Sequence, residues 1–384
     1  MEGLGGHILK CIECGSVYEP APLIKCSECG GLLDIIIELP DRGLFRRLGL
    51  REMGVWRYRE LLPVGDGAKV VSLGEGGTRL LKLEEEFTGE LFIKLEGDNP
   101  TGSFKDRGMT VGVTKALEFG YRKVACASTG NTSASLAAYA ARGGLDAYVF
   151  IPKGGIAKGK LFQALAYGAN IVEVEGGFDD ALERVLKYVE VEGDVLLLNS
   201  FNPYRLEGQK TLAYEVYEQL GGAPDYVFVP VGNAGNISAI YKGFRELRDI
   251  GLIDSAPIMV GVQASGAAPL ANAFPYIERF SPVDEPRTLA SAIRIGKPVN
   301  WRKAWRAVES SGGFFTSVED AEILRAQMRL ARKYGILVEP ASAASYAGFL
   351  KHIDELDGRV VLVATGHGLK DPDVINHWSN LGII

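Results

Sequence analysis

The chain has 384 residues, 47% hydrophobic and 23% charged, an ordinary balance for a globular protein long enough for two or three domains. A formal net charge of −6 argues against a nucleic-acid partner, and it requires any anionic ligand to be held by local donors rather than by the overall field. No apolar run reaches transmembrane length, and the first ten residues lack the basic and apolar stretches of a secretory leader, so a cytoplasmic protein without a membrane partner is expected.

Four of the five cysteines fall between residues 11 and 29, which is no disulfide framework for a chain of this size. They form two C-x-x-C knuckles, Cys11/Cys14 and Cys26/Cys29, each followed by glycine, at Gly15 and Gly30. Two tight turns that each offer two thiolates predict a structural zinc ribbon over about 7–38; zinc is favoured over iron, and all four positions are filled by protein, leaving none for catalysis. Such a module needs its metal because it is too small to build a core.

Residues 40–62 read as a charged helical linker carrying Arg46, Arg47, Arg51, Arg57 and Arg59. After it, short apolar runs at 91–95, 123–127, 147–151, 171–174, 195–198, 226–231, 259–263 and 360–364 lack strict alternation, as strands buried on both faces of a parallel sheet do. Helical patterns at 133–141, 179–189, 208–220, 237–247 and 318–334 separate them. The expected fold class is α/β, with open, mostly parallel sheets that bind ligands at the carboxyl ends of their strands.

Four strand-end segments carry chemistry. Asn99-Pro100-Thr101-Gly102-Ser103-Phe104-Lys105-Asp106-Arg107-Gly108 puts a lysine in a tight turn between a strand-like run and an apolar-periodic segment, where it can form a Schiff base. Ser128-Thr129-Gly130-Asn131-Thr132-Ser133 opens an Ala-rich helix; hydroxyls, an amide and free N–H groups at a helix start suit a carboxylate. Gly232-Asn233-Ala234-Gly235-Asn236 is a glycine-rich turn feeding a helix, able to cradle a phosphate, without the spacing of a dinucleotide or ATP loop. Thr365-Gly366-His367-Gly368 ends the last strand, with His367 expected to be structural. Between them, Asn199, Ser200 and Arg205 offer amide, hydroxyl and guanidinium donors for an anionic substrate tail.

Together, in this order, the four segments resemble the pyridoxal phosphate enzymes of the tryptophan-synthase β-subunit type, fold type II. The resemblance implies two open α/β domains with the cofactor in a cleft: a large cofactor domain from 41–110 and 208–384, a small one from 111–207, and the ribbon at 1–40. It implies that Lys105 anchors pyridoxal 5'-phosphate and serves as the catalytic base. Phe104 would pack beside the cofactor, and Asn131 would bond its phenolic oxygen. Gly232, Asn233, Ala234, Gly235 and Asn236 would bind its phosphate, and Thr365 its ring nitrogen. A neutral hydroxyl there moderates the electron sink, which suits β- and γ-elimination and replacement.

Within that superfamily the sequence is most similar to the threonine synthases, through the runs at 99–108, 128–141 and 199–211. The reaction this implies converts O-phospho-L-homoserine and water to L-threonine and phosphate, by γ-elimination and β-addition of water. Ser128, Thr129, Asn131 and Thr132 would hold the substrate's amino-acid end, and Asn199, Ser200 and Arg205 its phosphate; a homodimer is also implied. The alternatives are β-replacement on O-phospho-L-serine with sulfite or sulfide, as in cysteate synthase or a sulfhydrylase, and a serine or threonine dehydratase. A different class, a ribbon-bearing nucleic-acid or partner binder, is disfavoured by the acidic charge and the lysine. One methylene separates the two phosphorylated substrates, worth ~1–3 kcal/mol of discrimination.

Overall fold

The computed structural model describes residues 6–153 and 158–380, which divide into two compact units. The chain passes from one to the other between residues 77 and 78, 98 and 99, 101 and 102, 104 and 105, and 211 and 212.

The first unit begins with the cysteine module, an antiparallel sheet ordered Val17–Tyr18, His7–Cys11, Leu33–Ile37. The two knuckles are built alike. Gly15 N–H donates to the Cys11 carbonyl and Gly30 N–H to the Cys26 carbonyl, and both glycines take the positive φ (79° and 70°) that a side chain would resist. Leu9, Leu33 and Ile35 are fully buried, and their cluster is completed by Tyr204, from outside the module. The linker holds a short helix, Gly43–Leu48, and 3-10 turns over Val55–Leu61, shorter and more broken than the sequence pattern suggests. A four-stranded parallel sheet follows, ordered Asn170–Val174, Asp146–Pro152, Lys123–Ala127, Val195–Leu197. Its core joins Val124, Cys126, Val149 and Leu196 to Met109 and Val113 of the helix Lys105–Glu118 and to Leu136 and Tyr139 of the helix Asn131–Gly143. Val71 belongs to the same core. These contacts are why residues 41–77 and 105–110 cluster with the smaller sheet, where the sequence reading assigns them to the larger domain.

The second unit is built on six strands ordered Phe314–Val318, Ile258–Ala264, Tyr226–Pro230, Arg359–Ala364, Glu90–Leu95, Leu80–Leu83. All neighbours are parallel except the last pair. Ile93, Phe228, Val260, Val262 and Leu362 pack with Ile323 and Leu330 of the helix Asp320–Tyr334 and with Tyr346 and Phe349 of the helix Pro340–His352. Each such buried side chain contributes ~1.5–3 kcal/mol over its exposed state. Both sheets thus end their parallel strands in loops on one edge, the arrangement that places ligand loops at strand carboxyl ends. Among the described residues no helix is long and apolar enough to cross a membrane.

Candidate active site

In the first unit, the turn before Lys105 is fixed by the residue after it. The buried Asp106 carboxylate accepts the Thr101 N–H and the Thr101 hydroxyl, each at 2.7 Å, and the Ser135 hydroxyl at 2.6 Å. Charge-assisted bonds of this length are strong, so Asp106 pins both the turn and the first helical turn, where half-buried Lys105 sits. Asp106 was visible in the motif but has no role in the sequence reading; its short-range partner Thr101 was the available signal.

The strand Lys123–Ala127 delivers the Ser128–Thr132 loop, all of it half-buried. Gly130 N–H donates to Ser128 Oγ at 3.2 Å, and Gly130 precedes the helix starting at Asn131, whose first-turn N–H groups lack helical acceptors. On the neighbouring strand, Asn199 faces this loop's stem. Its Oδ1 accepts the Ala127 N–H and its Nδ2 donates to the Ala127 carbonyl, both at 3.0 Å. The amide that the sequence reading assigns to substrate phosphate is therefore mostly spent on backbone, holding two strand ends together.

Arg205 differs. It is 1% exposed, donates one Nη to the Leu198 carbonyl at 2.9 Å, and pairs with no carboxylate among the described residues. Its Nε is buried with no partner. Burial alone pushes its pKa down to about 10, and burial also pushes the neighbouring Cys126 thiol up to about 12, so Cys126 supplies no counter-charge at neutral pH. An uncompensated buried cation is costly, and its free donor suits an anion. Ser200 is half-buried on the same turn.

In the second unit, Gly232–Asn236 joins the strand Tyr226–Pro230 to the helix Gly235–Asp249. Ala234 has φ 65°, the one positive φ at a non-glycine among the described residues. That conformation costs about 1–2 kcal/mol and is tolerated where backbone N–H groups must converge on an anion. A Cβ at Gly232 would stand 3.0 Å from the Ala292 carbonyl oxygen, so the loop runs too close to its neighbour for a side chain. Asn236 Nδ2 is buried without a partner. A helix N-terminus, a left-handed residue and an orphaned amide donor are a donor set that fits a phosphate.

Thr365 ends the strand Arg359–Ala364 and is buried; its hydroxyl lies 2.9 Å from Ser342 Oγ and donates to Glu339 Oε1 at 3.3 Å. Glu339 and Ser342 have no counterpart in the sequence reading; the Pro340 after Glu339 signals only the helix start. A Cβ at Gly366 would meet Glu339 Oε1 at 2.6 Å, so a side chain there would displace the Glu339 carboxyl from Thr365. Phe104 N–H donates to the Thr365 carbonyl at 3.0 Å, and Ser103 bridges to Gly366, contacts that lie within the second unit. His367 Nδ1 accepts the Leu369 N–H and caps the next turn, a structural role as expected.

The four Cys Sγ atoms of the ribbon lie within 4.8 Å of one another, with pairs at 3.4, 3.5 and 3.6 Å. Thiolates around zinc, at ~2.3 Å from the metal, stand about 3.8 Å apart, whereas a disulfide needs ~2.05 Å. The Tyr18 hydroxyl lies 3.0 Å from Cys26 Sγ and supplies that sulfur with a hydrogen-bond partner from the neighbouring strand. A Cβ at Gly31 would sit 3.0 Å from Cys11 Sγ and 3.2 Å from Cys29 Sγ, so the backbone closes tightly over the sulfurs.

Residues 71–366 match the family of pyridoxal-phosphate dependent enzymes. The chain is 55% identical to a threonine synthase of Methanocaldococcus jannaschii, over 95% of this chain and 93% of that protein. It is 51% identical to one from Methanosarcina acetivorans, over 96% and 93%. Its fold is similar to that of threonine deaminase isoform 2 from Solanum lycopersicum, with a TM-score of 0.67 at 20% identity, over 80% of this chain and 88% of that one.

Proposed function

The chain belongs to the pyridoxal-phosphate dependent enzymes, among them to the threonine synthases, and we propose that it converts O-phospho-L-homoserine and water to L-threonine and phosphate. The observation that carries the choice of substrate is Arg205, a buried guanidinium with an orphaned Nε and no carboxylate, bonded only to the Leu198 carbonyl among the described residues. A dehydratase acting on free serine or threonine would have no anion to place there.

The roles follow from what each group can do. Lys105 Nζ would anchor the cofactor's aldehyde and, as a free amine, would be the base that takes the Cα proton. Bound pyridoxal phosphate supplies the electron sink for the charge that develops at Cα. Gly232, Asn233, Ala234, Gly235 and Asn236 hold the cofactor phosphate, with Asn236 Nδ2 and the helix N–H groups as donors. Thr365 meets the ring nitrogen with a hydroxyl held by Ser342 and Glu339. Phe104 would pack on the cofactor face, and Asn131 would bond its phenolic oxygen. Ser128, Thr129 and Thr132 take the substrate carboxylate at the helix start. Arg205 and Ser200 bind the substrate phosphate and keep it after it leaves Cγ; Asn199 acts by holding their turn against Ala127.

The reading extends to a structural zinc on Cys11, Cys14, Cys26 and Cys29, supported by the sulfur spacing, and to a cytoplasmic homodimer, supported by the family resemblance alone. The test is an assay of cofactor-loaded protein with O-phospho-L-homoserine, following phosphate and threonine together. Equal release of both is expected. No release, with O-phospho-L-serine and sulfite or sulfide consumed instead, would overturn the substrate assignment.

A further inference from the structure

One aromatic side chain connects the cysteine module to the turn that carries Arg205. Tyr204 is 1% exposed and belongs to the apolar cluster of Leu9, Cys11, Cys26, Leu33 and Ile35, two of which are metal-ligand candidates. Its hydroxyl donates to the Ala21 carbonyl at 2.9 Å and stands 3.2 Å from His7 Nε2, which lies on the strand ending at Cys11. Ala21 sits in the loop between Cys14 and Cys26. The ring meets His7 and Phe119 edge-on, at centroid distances of 5.6 and 5.5 Å. Both chain segments that Tyr204 grips are thus closed by the same four sulfurs.

On its other side Tyr204 is one residue from Arg205, and the backbone between them is fixed. The N–H groups of Tyr204 and Arg205 both point at Asn202 Oδ1, at 3.0 and 3.4 Å, while Asn202 Nδ2 donates to the Leu197 carbonyl at 2.9 Å. Arg205 itself is tied to Leu198. Tyr204 and Arg205 therefore share the first turn of the helix Pro203–Leu220, on one backbone anchor at Asn202.

We propose that Tyr204 is a positioning residue, through which the metal-bound cysteine module sets how Arg205 is presented to the substrate's phosphate. This rests on the reading of Arg205 as the phosphate ligand. A ribbon without metal cannot hold the Cys14–Cys26 loop against Tyr204, because its own core is too small. Phosphate affinity then falls while the chemical step at Lys105 is unaffected. A merely structural ribbon would instead lower stability and cofactor occupancy, and with it apparent kcat, leaving KM and the phosphate Kd alone.

The test uses full-length, cofactor-loaded protein, in its metal-loaded and chelator-stripped forms, with metal content measured. Each is titrated with inorganic phosphate, cofactor absorbance is recorded, and KM and kcat are measured for the phosphorylated substrate. Metal removal and Tyr204→Leu are each expected to raise the phosphate Kd and KM about tenfold, the equivalent of ~1.4 kcal/mol, with kcat within about twofold. The two changes should not add when combined, because they break one path. Tyr204→Phe, which keeps the ring in its cluster, should restore most of the affinity. An unchanged phosphate Kd in Tyr204→Leu, while Arg205→Gln weakens it, overturns the positioning role and spares the site. An unchanged Kd in Arg205→Gln overturns the reading of Arg205 and this inference with it. If the stripped protein loses its fold, the Tyr204 pair decides the matter alone.

Discussion

Asn199 and Ala127 exchange two hydrogen bonds of 3.0 Å, side-chain amide to backbone peptide, across the ends of neighbouring parallel strands. The pair imitates a further rung of the sheet where the strands have already stopped. Asn199→Ala leaves a buried N–H and carbonyl unpaired, which costs ~1–3 kcal/mol each way the site relaxes. Urea unfolding should show that loss, and KM for the amino-acid substrate should rise with it, because the Ser128 loop springs from Ala127. Full stability in Asn199→Ala would show that the rung is replaceable by water.

Arg205 gives a prediction about phosphate and stability. Burial lowers its pKa to about 10 in the folded chain, so the folded state binds fewer protons than the unfolded state between there and the ordinary arginine range. At pH 7 both states carry the proton, and the folded chain carries the full desolvation penalty. A phosphate beside the guanidinium offsets that penalty and binds only the folded state. Wild type at 100 Kd of phosphate should gain ~2.7 kcal/mol of stability. Arg205→Gln should start out no less stable by thermal melting and gain far less from phosphate; an equal gain in both would place the anion elsewhere.

Lys105→Ala should abolish turnover, with circular dichroism unchanged, since the half-buried side chain is no core element. Borohydride treatment of the wild type should fix the cofactor's mass on the peptide that contains Lys105. A Lys105→Ala protein with wild-type turnover would remove the lysine from the chemistry.

The central strands were legible in the sequence because they are buried on both faces, as at Val227, Phe228 and Val229, and so read as unbroken apolar runs. The edge strands of the six-stranded sheet were not. Leu80–Leu83 carries Lys82 toward solvent, and Phe314–Val318 contains Thr316 and Ser317, so neither resembles a central strand. The helix Pro340–His352 was missed for the opposite reason: buried from Pro340 through Phe349, it has no polar face to give a period. In the site, the loops were legible because Gly, Ser, Thr and Asn gather where backbone must meet a ligand. What residue types could not show was occupancy: that Asn199 is spent on Ala127 while Arg205 Nε is spent on nothing. Nor could they show Glu339 behind Thr365, a contact across 26 residues of chain.

Ala234 sits at φ 65° as the residue before the helix Gly235–Asp249. Glycine adopts that conformation freely, so Ala234→Gly should raise stability by about 0.5–1 kcal/mol, after its own entropy cost. Ala234→Val should destabilise by more than ~2 kcal/mol, since a β-branched residue there is a true outlier. Cofactor release should quicken in the valine variant and hold in the glycine variant. Equal stability in all three would show that the loop relaxes in solution.

Glu85 supplies the acid limit of stability. Its side chain is 2% exposed, and burial on its own would raise its pKa, yet the Tyr334 and Tyr346 hydroxyls with Arg329 and Lys333 draw it down to about 2. A carboxyl whose folded pKa is depressed contributes stability above its unfolded value, near 4.5, and loses that contribution as pH falls toward 2. The shift corresponds to at most ~3 kcal/mol. Glu85→Gln keeps the shape but not the charge, so urea midpoints of wild type and variant should differ most at pH 6–7, keep part of that gap at pH 3 and converge only toward pH 2. The same gap at both ends of the range would mean that Glu85 acts through packing of the Tyr334 and Tyr346 rings rather than through its charge.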